Sequence, residues 1–91
     1  MPSSKEEAVA AARKDMAERL GVDDNEISVN AVEETEFPDT ALGAGGPDEM
    51  SGQMLTSGWR IRLEAKGQAL EYRANKRQLR LYDFKGSNYQ I

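Results

Sequence analysis

Residues 59–82 read WRIRLEAKGQALEYRANKRQLRLY, and through three short runs apolar positions alternate with charged or polar ones. A period of two is what a strand needs when one face is buried and the other meets water. Trp59, Ile61, Leu63 and Ala65 alternate with Arg60, Arg62 and Glu64; Leu70, Tyr72 and Ala74 with Glu71 and Arg73; Leu79 and Leu81 with Arg80 and Tyr82. Three half-buried strands in an antiparallel meander follow.

The pattern also sets the register, because a slip of one residue would throw every apolar side chain onto the wrong face. A two-residue turn at Lys66-Gly67 puts Leu63 opposite Leu70 and Ile61 opposite Tyr72, whereas a three-residue loop without a compensating bulge would put Ile61 opposite Glu71. The turn Asn75 to Gln78 likewise sets Ala74 opposite Leu79 and Tyr72 opposite Leu81. On the other face Arg60 then falls opposite Arg73, and Arg73 opposite Arg80.

A sheet with one apolar face needs a cover. Ser3 or Ser4, three residues ahead of Glu6 or Glu7, has the form of a capping box, and Val9, Ala12, Met16 and Leu20 recur at helical spacing before Gly21. Ile27, Val29 and Ala31 alternate and then shift phase at Val32, which predicts a further strand over 27–36 with a bulge or an end to regular pairing. The expected architecture is α+β and two-layered, with one N-terminal helix packed on a sheet of about four mainly antiparallel strands. Residues 1–91 are expected to form a single domain, since this length supports one modest core. The tail 86–91 either turns back with Tyr89 or Ile91 on the sheet or frays.

Between the two strand regions lies a Gly/Pro-rich loop at about 38–58, within FPDTALGAGGPDEMSGQMLTSG. Pro38 and Asp39 suit a turn, and Leu42 is placed to plug into the edge of the core before Gly43 turns the chain. Gly45 to Ser51 is expected to be the mobile tip. Residues for loop-mediated contact are Pro38, Asp39, Leu42, Gly43, Asp48 and Met50.

Composition removes most chemistry. Cysteine and histidine are absent, so thiolate nucleophiles, imidazole bases, disulfides and thiolate or imidazole zinc sites are excluded. No carboxylate pair stands out as an acid and base. The acidic run at 23–26, and Asp39 with Asp48 and Glu49, match no calcium-loop spacing. Gly43, Gly45 and Gly46 open no phosphate-binding loop. No catalytic, cofactor or metal residues are therefore assigned. Without an apolar run of signal or membrane-span length, the chain reads as cytoplasmic, with no membrane partner.

Charge is uneven. Residues 1–50 carry four basic and thirteen acidic side chains, residues 51–91 eight basic and three acidic. Like charges opposite one another destabilise a sheet by up to ~1 kcal/mol, so the row Arg60, Arg73 and Arg80, with Arg62 and Tyr82 on the same face, asks for a reason. It is either a face whose cations pair internally or stay solvated, or a site for an anion: an acidic protein or peptide, or single-stranded nucleic acid stacked on Tyr82. Trp59 reads as core, with an exposed ligand-binding aromatic as the sharper alternative.

The segments FPDTALG (37–43) and GQMLTSGWRIRLEAKGQALEYRA (52–74) resemble a family of small uncharacterised prokaryotic α+β domains. In these an aromatic-Pro-Asp-x-x-Leu-Gly motif is followed by a Gly-aromatic-x-Ile strand. Where those sequences usually carry tryptophan before the proline and cysteine after the glycine, this chain has Phe37 and Ala44. The resemblance implies the fold and no established activity. The expectation is a non-enzymatic interaction module for a protein or peptide partner. The alternatives are a peptidase-inhibitor-like domain that presents its loop, and single-stranded nucleic-acid binding on the arginine face.

Overall fold

The computed structural model describes residues 4–91. It contains one helix, α1 (Lys5–Leu20), a short 3-10 turn (Asp24–Glu26) and five strands. Ser4 caps α1, its Oγ accepting from Glu7 N at 3.2 Å, while Ser3, the other capping residue considered, lies outside the described residues. Glu6 and Glu7 in the first turn and Arg19 in the last complement the helix dipole. Gly21 ends the helix in the left-handed region at φ 67°, with its N–H donating to Ala17 O.

The strands are β1 (Ser28–Phe37), β2 (Thr56–Ala65), β3 (Gln68–Ala74), β4 (Leu79–Phe84) and β5 (Ser87–Gln90), joined in the order β1-β2-β3-β4-β5 with every pair antiparallel. The pairings Leu63 with Leu70, Ile61 with Tyr72, Tyr72 with Leu81 and Ala74 with Leu79 are those the alternation required. The arginine row also forms, Arg60 opposite Arg73 and Arg73 opposite Arg80. In β1 the register shifts between Val29 and Ala31, leaving Asn30 as the extra residue. The expected phase change is therefore a bulge, and regular pairing resumes and runs on to Phe37 opposite Thr56.

The sheet has five strands, not about four. Lys85 and Gly86, at φ 53° and 84°, make a tight turn that sends Ser87–Gln90 back along β4. The segment escaped the strand reading because it holds one large apolar residue, Tyr89, too few for an alternation to register. With β1 reaching Phe37 and β2 starting at Thr56, the loop is confined to 38–55.

Helix and sheet bury one core between them. Ile61, Leu63, Tyr72, Ala74 and Leu81 have no exposed surface, nor do Ala8, Ala12 and Met16 of the helix. The buried stripe is thus centred on Ala8-Ala12-Met16, while Val9 and Leu20, expected within it, are only partly buried at its flanks. Alanine at 8 and 12 lets the helix backbone approach the sheet closely, which moves the line of contact. The Tyr72 hydroxyl donates to Asp15 Oδ2 at 2.6 Å, and Asp15 also takes Arg19 at 3.1 Å, so the one phenol in this core is satisfied. Burial first, and then the Asp15 carboxylate, push the Tyr72 phenol well above its ordinary pKa.

Phe37, Ala41, Leu42 and Ala44 are also buried, yet they stand apart from that core. Phe37 pairs with Thr56 and so lies on the opposite, arginine-bearing face. Something covers that face, and the loop is what does.

Candidate functional site

The loop is built from its first residues. Asp39 Oδ1 accepts from the backbone N–H of Ala41 at 3.0 Å and of Gly43 at 2.9 Å, while its carbonyl accepts from Leu42 N at 3.1 Å. Ala44 N donates to Ala41 O at 3.0 Å, closing a turn in which Leu42 (φ 59°) and Gly43 (φ 67°) are both left-handed. For a leucine that conformation costs roughly 1–2 kcal/mol. Complete burial of its side chain contributes about as much or more, roughly 1.5–3 kcal/mol.

Two glycines are demanded by close approach. A Cβ on Gly43 would stand 2.6 Å from Arg73 Nη1, which donates to Leu42 O at 3.0 Å. A Cβ on Gly58 would stand 2.4 Å from Ala74 O and 3.2 Å from Phe37 Cε2. The residues that carry the family resemblance, Phe37, Asp39, Leu42, Gly43 and Gly58, thus act as one lock that seats the loop on the sheet.

The later part of the loop is tied down as well. Thr40 and Gly52 exchange two hydrogen bonds, Thr40 N to Gly52 O at 2.9 Å and Gly52 N to Thr40 Oγ1 at 2.7 Å. Gln78 Nε2 holds Thr40 O at 2.7 Å and Asn88 Nδ2 holds Gly45 O at 3.0 Å. Glu49 receives Gly46 N at 3.1 Å and is gripped by Arg80. Between Gly45 and Ser51, the expected mobile tip, one carbonyl (Gly45) and one carboxylate (Glu49) find donors on the sheet, and Gly46 is tied to Glu49.

The arginines divide into two groups. Arg80 is 4% exposed and donates from Nη1 and Nη2 to the two Glu49 oxygens at 2.7 and 2.6 Å. Its Nε turns to Gln78 Oε1, and Nη1 also reaches Ala44 O at 3.4 Å. Arg73 donates to Glu71 Oε2 at 2.9 Å and lies over Tyr82, 3.6 Å from the ring centroid, and over Phe37 at 5.2 Å. Arg60 and Arg62 approach the same Glu71 carboxylate at 3.4 and 3.5 Å. Three guanidinium groups thus share one acid, and the buried Arg60 Nε makes no hydrogen bond. Glu49 is the fourth arginine's own counter-ion, and Arg80's hydrogen bonds, then the Gly46 N–H, hold its carboxyl down at about 2.

Of the loop residues singled out, Asp39, Leu42 and Gly43 face inward and serve the lock, while Pro38, Asp48 and Met50 are exposed. Met50 is 97% exposed, and Met54 and Leu55, which no motif or alternation singles out, are 66% and 68% exposed. Glu49 and Gln78 also belong to the site without standing out in the sequence, whereas Glu71 lies on the arginine face where the alternation places it. An excess of arginine on one strand face is a signal that an acid must come from elsewhere in the chain, and Glu49 lies in the only acidic part of the loop beyond Asp39.

Trp59 is half-buried, packing on the core with one side and lining an open cleft of about 580 Å³ with the other. Glu34 and Glu36 of β1 form one wall of this cleft, Lys76 and Arg77 of the β3–β4 turn another. Among the described residues no three carboxylates converge in a way that could hold a metal ion. No helix among them is long and apolar enough to cross a membrane.

The family described as Domain of unknown function (DUF8738) matches residues 9–82, which takes in the helix from its second turn, the locked loop, the first three strands and most of the fourth. No curated protein matches the chain, and no solved structure does.

Proposed function

The chain belongs to the DUF8738 family, and on that premise we propose that it is a non-enzymatic interaction module that grips a protein partner through the loop limb 50–55. The observation that carries this reading is the pairing of exposure with restraint. Three large apolar side chains, Met50, Met54 and Leu55, stand in solvent on a segment whose base is fixed by Thr40 and Gly52 and whose turn is fixed by Arg80 and Glu49. A restrained limb loses little conformational freedom on binding. Unbranched methionines adapt to an irregular apolar partner surface.

The arginine face supports a nucleic-acid role less well. Arg73 and Arg80 give their donors to Leu42 O, Glu71, Ala44 O and Glu49, so phosphate would have to displace the loop. An inhibitor role draws on the same limb as the interaction reading, because an exposed segment fixed at both ends is what a protease cleft would receive. Comparing wild type with Met50→Ser/Met54→Ser/Leu55→Ser in affinity capture and against a panel of peptidases tests both. The interaction reading expects partner capture to be lost in the variant with no peptidase inhibited by either protein.

A further inference from the structure

The outer strand of the sheet at the N-terminal side, β1, has a neighbour on one edge only. Half of its backbone N–H and C=O groups therefore point away from β2, a ready template for another strand. The bulge at Asn30 breaks the regular edge, leaving residues 31–37 as a straight run paired without interruption to β2. Within that run lie Glu33, Glu34 and Glu36, all exposed, and none of the three has an ion pair among the described residues. Glu34 sits opposite Trp59 and Glu36 opposite Ser57, so both carboxylates project on the helix side, into the cleft that the indole lines.

We propose that the free edge of β1 takes up an extended, basic peptide by strand addition, with a lysine or arginine side chain lodged between Glu34, Glu36 and the face of Trp59. Backbone hydrogen bonds along 31–37 give the affinity, and alternate side chains give the selection. An ammonium or guanidinium group beside two unpaired carboxylates and over an indole is doubly favoured. A second copy of this chain is a poor occupant, because it would bring three more glutamates to the same edge. Lys76 and Arg77 confine the cation to the β1 side of the cleft. This surface is separate from the limb 50–55, and either can fail without the other.

The test uses the full chain and an acetylated, amidated eight-residue peptide of alternating lysine and threonine, with its glutamate counterpart as control. Trp59 is the single tryptophan, so its emission reports binding directly, and amide shifts map the strand. The lysine peptide should shift Trp59 emission and the amides of residues 31–37. The glutamate peptide should do neither. Glu34→Gln/Glu36→Gln should weaken binding at least tenfold, and N-methylation of alternate peptide amides should do the same by blocking the ladder while keeping the charge. No response to the lysine peptide overturns the proposal. So does equal binding of the N-methylated peptide, which would mean charge attraction without strand pairing. Self-association of the chain through β1 in sedimentation would overturn it too, by giving the edge to a second copy.

Discussion

Arg80 and Glu49 stand far apart in the sequence, yet the guanidinium of one meets the carboxylate of the other in two parallel hydrogen bonds of 2.7 and 2.6 Å. The arginine is almost wholly buried and the glutamate keeps part of its surface in water. This fork joins the tip of the loop to β4 and makes a third layer out of what would otherwise be a long connection.

Replacing Glu49 with Gln leaves the buried guanidinium without its counter-ion. A buried group that loses a charged partner costs about 1–3 kcal/mol. Denaturant unfolding should show a loss in that range, and hydrogen exchange should accelerate at Gly46 and Glu49 with little change at Leu63 or Tyr72. Uniform acceleration across the sheet would mean that the loop and the main core do not open separately.

The same ion pair sets a pH dependence. Glu49 is held at about 2 against an ordinary 4.5. A carboxyl whose folded pKa lies below its unfolded value contributes stability above the unfolded value and loses it as pH falls. The stability difference between wild type and Glu49→Gln should thus be constant above about pH 5 and shrink as pH falls from 4.5 toward 2. A difference that stays level through that window would show that the pair does not persist in solution.

Gly43 and Gly21 share φ 67°, but only Gly43 has a neighbour where a Cβ would go. Gly21→Ala should cost the left-handed conformation alone, roughly 1–2 kcal/mol. Gly43→Ala should cost more, because it also displaces Arg73 from Leu42 O. Gly58→Ala meets the Ala74 carbonyl, which is backbone and cannot swing aside, and overpacking of this kind costs about 1–3 kcal/mol or more. Thermal melts of the three variants should rank Gly21→Ala as the mildest.

Leu63 is fully buried opposite Leu70, and its truncation to Ala should cost ~2–5 kcal/mol in a denaturant titration. A near-zero loss would mean that the face or the register of β2 is wrong.

The meander was legible because its register follows from alternation alone: Ile61 and Tyr72 had to meet for either to be buried. Asn30's bulge left a trace in the phase change at Val32. The cover over the outer face left only the excess of arginine on that face. Arg60, Arg73, Arg80 and Tyr82 read equally well as a solvated face, and beside Glu71 and Glu49 part of what covers Arg73 and Arg80 is the carbonyls of Leu42 and Ala44, which every residue type carries. For the same reason the arginine row was visible as a row, while its partition between Glu71 and Glu49 was not. Of the limb 50–55 only Met50 was legible as a contact residue, because Met54 and Leu55 belong to no motif or alternation.

The proposed function requires the restrained limb to be the surface that binds. Affinity capture should compare wild type, Met50→Ser/Met54→Ser/Leu55→Ser and Arg60→Gln/Arg62→Gln, all three with melting temperatures measured alongside. Partner proteins retained by wild type should be retained by the arginine variant and lost from the limb variant, whose melting temperature should be unchanged because its three side chains are largely exposed. Equal retention by the limb variant, or loss only in the arginine variant, would contradict it.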